Sequence, residues 1–113
     1  MKIEAYSFGS VTIDGQRFTS DVLIFRDRVD STWWRKTGHS LCPDDLRSVV
    51  ADKPDVLIVG TGANGLMSVP EETAKWVAQQ GMELIVKKTD EACREFNRLS
   101  LQRHVAAALH LTC

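Results

Sequence analysis

Three stretches of this chain carry residues whose type and spacing suit chemistry. The first is Gly60-Thr61-Gly62-Ala63-Asn64-Gly65, a match to G-x-G-x-x-G. In a dinucleotide-binding fold such glycines permit a tight turn and let the backbone approach a pyrophosphate seated at the start of the next helix. The second is Arg35, Gly38 and His39. Arginine can clamp a carboxylate or phosphate through two parallel hydrogen bonds, and histidine can move a proton near neutral pH. The third is Cys93, about one turn into an expected helix, where the positive helix end can lower a thiol pKa.

Each has a plainer reading. The glycine motif has the right strand before it, Val56 to Val59, but Leu66-Met67-Ser68-Val69-Pro70 delays the next helix. The acid expected about 20 residues on is missing, since the next strand ends in Val86-Lys87-Lys88. No Gly-Lys-Ser/Thr is present, which excludes a P-loop. The loop is kept as the edge of a candidate pocket for a small anionic or polar ligand. Gly60, Thr61, Gly62, Asn64 and Gly65 would form it, with Arg35 or His39 reaching in. It is not read as a cofactor fingerprint, and no cofactor is assigned. Arg35 and His39 read more simply as loop residues pinned by tryptophan packing and hydrogen bonds. Cys93 shares a face with Ala92 and Phe96 and reads as a small buried hydrophobe.

His104 and His110 would lie ~20 Å apart on a strand rising ~3.3 Å per residue, too far to bind one metal. No His, Cys and carboxylate cluster has metal-ligand spacing, and no nucleophile-base set is visible. No catalytic residue and no metal ligand are therefore assigned, and the balance falls against an enzyme. Trp33 and Trp34 are adjacent and would face opposite ways if extended. One is expected in the core and the other at an interface, where exposed tryptophan is enriched.

The elements that must position these residues are legible from periodicity. Ile3 and Ala5, then Val11 and Ile13, alternate with polar neighbours, as half-buried strands do. Asp14-Gly15 is a hairpin signal, because a type I′ turn needs positive φ at both central residues. A strand at residues 16–19 and an apolar run at 21–25 follow, making the first quarter antiparallel β. Residues 26–41 hold neither period and read as a long connection. Pro43-Asp44-Asp45 opens a helix with Leu46, Val49 and Val50 as its stripe. Val56 to Val59 lacks alternation, as expected of a strand covered on both faces. Ser68-Val69-Pro70-Glu71 suggests a capping box for a helix whose stripe is Ala74, Val77 and Ala78. Gly81 suits its C-terminal end. Met82 to Val86 reads as a second buried strand, and Thr89 as the N-cap of a third helix carrying Ala92, Phe96 and Leu99. The tail from Arg103 to Leu111 is alanine-rich, which favours helix. It follows a β-α-β-α order, which favours a strand, and a strand is the expectation adopted.

The bulk numbers bound the rest. The chain has 113 residues, which suits one domain spanning 1–113. With 14 basic and 15 acidic residues and a net charge of −1, it has no basic block of the kind nucleic acid requires. No apolar run approaches the ~20 residues that cross a bilayer, and Met1-Lys2-Ile3-Glu4 opens without a leader pattern. Cys42, Cys93 and Cys113 form no framework of disulfides. These features point to a soluble cytoplasmic protein, with neither nucleic acid nor membrane as partner, existing as a monomer or weak homo-oligomer.

Several of the quoted pieces occur together in one known family: the Asp-Gly hairpin, Asp21-Val22-Leu23-Ile24, Trp34-Arg35 with Gly38-His39, and Val56-Leu57-Ile58-Val59-Gly60-Thr61-Gly62. Thr89…Ala92-Cys93…Asn97-x-Leu99 and Arg103…Leu109 complete the set. Over nearly its whole length the chain resembles a small family of unknown function. That family includes an adipogenesis-associated animal protein and a mitochondrial assembly factor for respiratory complex I. The resemblance implies a compact three-layer α/β fold: a mixed sheet with flanking helices and a small N-terminal antiparallel β portion. It implies no established activity and no settled cofactor. The expected role is a non-catalytic interaction or assembly-factor-like domain. The alternative is a small-molecule binder or enzyme with its pocket at the Gly60–Gly65 loop.

Overall fold

The computed structural model describes residues 1–113. Its first three strands are β1 (Ile3–Ser7), β2 (Ser10–Ile13) and β3 (Gln16–Phe18), joined as an antiparallel sheet. Asp14 and Gly15 turn the β2–β3 hairpin with φ of 48° and 81°, the positive values the sequence signalled. Next come β4 (Val22–Ile24) and a two-residue strand β5 (Val29–Asp30). A 3-10 turn at Pro43–Leu46 leads into α1 (Arg47–Asp52), followed by β6 (Val56–Thr61) and α2 (Glu71–Gln79). The chain ends with β7 (Glu83–Lys87), α3 (Thr89–Leu99) and β8 (Val105–His110).

The last strand of the chain is the middle of the main sheet, whose order is β5-β4-β8-β6-β7. β8 pairs parallel with β6 and antiparallel with β4, so the sheet is mixed. Every residue of β6 and of β8 is buried. Local propensity would make Ala106-Ala107-Ala108 helical; the tertiary setting overrides it. Alternate residues of both strands feed two cores. Leu57, Val59, Ala106 and Ala108 meet Leu46, Val49 and Val77 of the helical layer on one face. Val56, Ile58, Ala107 and Leu109 meet Ala92, Cys93 and Phe96 of α3, with Ile3, Val11 and Ile13 of the small sheet. That is the three-layer mixed α/β arrangement, with its N-terminal antiparallel portion laid on the α3 side.

Four local details differ from the sequence expectations. The N-cap of α2 is Pro70, without a side-chain cap; the Ser68 hydroxyl donates instead to the His39 carbonyl. The buried face of α2 is Thr73 and Val77, with Trp76 half-buried, while Ala78 is exposed. The helix is rotated from the all-apolar stripe because the Thr73 hydroxyl has a buried acceptor, the Leu41 carbonyl at 2.8 Å. β7 is an edge strand, not a doubly covered one, and Val86 is exposed. Finally, Lys88 is the N-cap of α3, and Thr89 lies inside the helix with its hydroxyl turned into the core.

Candidate functional site

The end of β8 and the start of β4 meet the 31–41 connection at a buried polar cluster. Asp21, just ahead of β4, accepts from three directions. Arg35 Nη1 lies 2.7 Å from its Oδ2, His110 Nδ1 lies 2.8 Å from the same oxygen, and the Leu111 N–H donates to Oδ1 at 2.8 Å. Arg35 Nη2 donates to the Gly38 carbonyl at 2.8 Å and stands 3.2 Å from His110 Nδ1. Arginine can only donate and the carboxylate can only accept, so the shorter contact makes Nδ1–H the donor to Asp21. Burial pushes the Asp21 carboxyl up, but the hydrogen bonds from His110, Leu111 and Arg35 outweigh it and hold its pKa below the ordinary value. The side chains of Arg35 and His110 are 7% and 6% exposed. The Arg35 guanidinium also stacks over the Trp33 ring, 4.8 Å from its centroid.

An aspartate holding a histidine through Nδ1 is half of a familiar proton-transfer unit. Here the other half is closed. His110 Nε2 is buried and meets no partner, as is Arg35 Nε. His39 stands over the His110 ring edge-on, at 5.6 Å between centroids. The cluster is a brace: it fastens the 31–41 connection to the central strand through ionic and charge-assisted bonds.

A second anchor works with it. Buried Asp45 accepts from the N–H groups of Lys36 and Cys42 through its carboxylate, and its carbonyl accepts from the Trp33 indole N–H at 2.9 Å. Trp33 is half-buried. Trp34, held between these two anchors, is 72% exposed. The two tryptophans divide as the sequence suggested, one to the core and one to solvent.

The glycine loop folds onto the chain's own end. The Ala63 N–H donates to the Thr112 carbonyl at 2.7 Å and the Leu66 N–H to the Cys113 carbonyl at 2.9 Å. The Gly62 N–H donates to Thr89 Oγ1 at 2.8 Å, and that hydroxyl donates onward to the His110 carbonyl at 2.6 Å. The Gly65 N–H turns back to the Gly62 carbonyl, and the Thr61 hydroxyl donates to the Lys87 carbonyl. Asn64 is exposed. Gly62 has φ of +105°, and a Cβ there would stand 2.5 Å from the Cys113 carbonyl carbon. Close packing requires Gly60 and Gly62, and a positive φ favours glycine at 65. The N–H groups of Gly62, Ala63, Gly65 and Leu66 already have internal acceptors, and the loop borders none of the three surface cavities of about 280, 290 and 320 Å³.

Arg35 and His39 are thus brought together with His110, but not with the Gly60–Gly65 backbone N–H groups as a shared ligand cradle. Sequence reasoning gives Asp21 and Asp45 no site role and weighs His110 only as a metal ligand paired with His104. The available signal was a polar residue at the border of an apolar run: Asp21 before Val22-Leu23-Ile24, and His110 between Leu109 and Leu111. Cys93 is buried, and burial pushes its thiol up to about 12.

The chain matches, over residues 3–110, the family described as "Protein of unknown function (DUF498/DUF598)". A solved conserved hypothetical protein from Pyrococcus horikoshii OT3 is 34% identical, with all of both chains covered and a TM-score of 0.86. The structure of an outer membrane protein from Bartonella henselae is 25% identical, covering 98% of this chain and 94% of its own, with a TM-score of 0.82. The "13 kDa major membrane protein" of Francisella tularensis subsp. holarctica (strain LVS) is 28% identical over 80 residues, or 71% of this chain. This chain spans 59% of that relative's length. No helix here is long and apolar enough to cross a membrane.

Proposed function

The chain belongs to the DUF498/DUF598 family, and from that premise we propose that it is a non-catalytic interaction domain of assembly-factor type. One observation carries this reading: Trp34 is 72% exposed while the residues on both sides of it are fastened to the core. A large aromatic side chain presented on an ordered backbone has little entropy left to lose on binding, and such residues dominate interface energetics. The likeness of the sequence to a family that includes a complex I assembly factor supports the same reading. The setting we assign is the cytoplasm, in keeping with the free thiols of Cys42, Cys93 and Cys113.

The test is affinity capture from the native organism with wild type and Trp34→Ala side by side. Trp34 makes few internal contacts to lose, so the variant should keep its unfolding midpoint. A partner recovered reproducibly with wild type should fall at least about tenfold, as expected for an interface hot spot of ~2 kcal/mol or more. An identical set of partners for both proteins would defeat the assignment of Trp34.

A further inference from the structure

The main sheet ends on one side at β7, an edge strand of five residues. β7 hydrogen-bonds to β6 on one side and has no strand on the other. The Glu83 N–H turns inward to the Asp55 carbonyl. Along a strand the direction alternates, so Ile85 and Lys87 also face β6, while Leu84 and Val86 point their N–H and C=O groups out of the sheet. Side chains alternate too. Ile85 leans on the α3-side core and Leu84 on the α2-side core, which sets Glu83, Ile85 and Lys87 on one face and Leu84 and Val86 on the other.

We propose that this edge is the contact for a second copy of the same chain, joined antiparallel about a two-fold axis through Ile85. In that register Leu84 lies opposite Val86 of the other copy, and Val86 opposite its Leu84. Both pairs have outward backbone groups, so four main-chain hydrogen bonds form and the two sheets become one of ten strands. Ile85 meets its own counterpart in a non-hydrogen-bonded position, where side chains approach most closely. Glu83 then stands opposite Lys87 of the other copy, twice over. Charge complementarity is what selects this occupant and this register: a parallel pairing in register would set Glu83 against Glu83 and Lys87 against Lys87, and opposed like charges are destabilising. An isologous contact of this kind closes at two copies. Val86, an apolar side chain exposed at 41% on the edge strand, gains cover from the partner's Leu84. The contact lies on the sheet edge and is independent of the Trp34 surface.

Sedimentation equilibrium of the full chain across a wide concentration range tests the proposal. Wild type should fit a reversible monomer–dimer equilibrium. Val86→Pro removes an N–H that has no acceptor within one chain, a tolerated change on an edge. It deletes two of the four intermolecular bonds and should weaken association at least about tenfold. Glu83→Lys alone and Lys87→Glu alone should each weaken it, and the double variant Glu83→Lys/Lys87→Glu should restore it. That charge swap keeps the proposal testable should the proline variant misfold. Wild type sedimenting as a monomer at every concentration would overturn it, as would a dimer indifferent to both Val86→Pro and the single charge reversals.

Discussion

At the scale of single residues, the ion pair of Asp21 and Arg35 decides how the site behaves. The folded-state pKa of Asp21 is lowered, so its carboxylate binds a proton less readily when folded than when unfolded. Its stabilisation is therefore complete above the unfolded carboxylate pKa of ~3.9 and is lost as pH falls through the folded-state value. Asp21→Asn removes that contribution and strands the buried Arg35 guanidinium, at a cost of about 3 kcal/mol near neutral pH. Chemical unfolding of the two proteins at pH 7 and at successively lower pH should show the gap between them narrowing in the acid range. A gap that stayed constant would mean the carboxylate does not carry the brace. The same scale settles what Cys93 can do. With its thiol pushed up to about 12, almost none is thiolate at pH 7, and the thiolate is the reactive species. In the folded protein a maleimide reagent should modify Cys42 and Cys113, both partly exposed, well before Cys93. Mass spectrometry of the digested adducts reads that order directly.

At the scale of elements, the strand-and-loop from Val56 to Gly65 is held by segments that come later in the chain. Thr89 is the junction: its hydroxyl accepts from the Gly62 N–H and donates to the His110 carbonyl, tying loop, helix and central strand at one buried oxygen. Thr89→Val keeps the shape and deletes both bonds, leaving a buried donor and acceptor unpaired. The expected loss is about 3 kcal/mol, and Thr89→Ser should recover most of it. Gly62→Ala should cost a similar amount, about 3 kcal/mol, by combining a left-handed backbone with direct overlap on the terminal carbonyls. Denaturant unfolding checks both. A Gly62→Ala protein as stable as wild type would show that the C-terminal residues do not pack on the loop. Asn97 plays the matching part at the other end of α3, exchanging hydrogen bonds of 2.8 and 2.7 Å with the Ile3 backbone. That pair fastens the small sheet to the main body.

At the scale of the whole molecule, legibility in the sequence obeys one rule: burial patterns that repeat could be read, and contacts between distant segments could not. Val56 to Val59 announced a strand covered on both faces because it is apolar without alternation, and Asp14-Gly15 announced its turn because few residues accept positive φ. The alanine-rich tail was resolved by chain order, not by propensity, and became the central strand. Met82 to Val86 looked equally buried, since hydrophobicity does not reveal that a strand lies at an edge. Arg35 and His39 stood out by residue type, but their setting comes from Asp21 and His110, 89 positions apart, and no local pattern encodes such a meeting. The glycine motif reads in the sequence as a loop after a buried strand and as the edge of a candidate pocket. Its packing partners, Thr112 and Cys113, lie at the far end of the chain.

The proposed function rests on Trp34 as the contact that two internal anchors hold out to solvent. Replacing Trp34 with an aromatic photo-crosslinking amino acid, which keeps a large ring at the contact, in cells of the native organism tests this most directly. On irradiation, the same protein adduct should recur between preparations, and it should diminish when Asp21→Asn is added and the anchor is released. Irradiated cells that yield no recurring adduct at position 34, while the protein is folded and present at its natural level, would contradict that role.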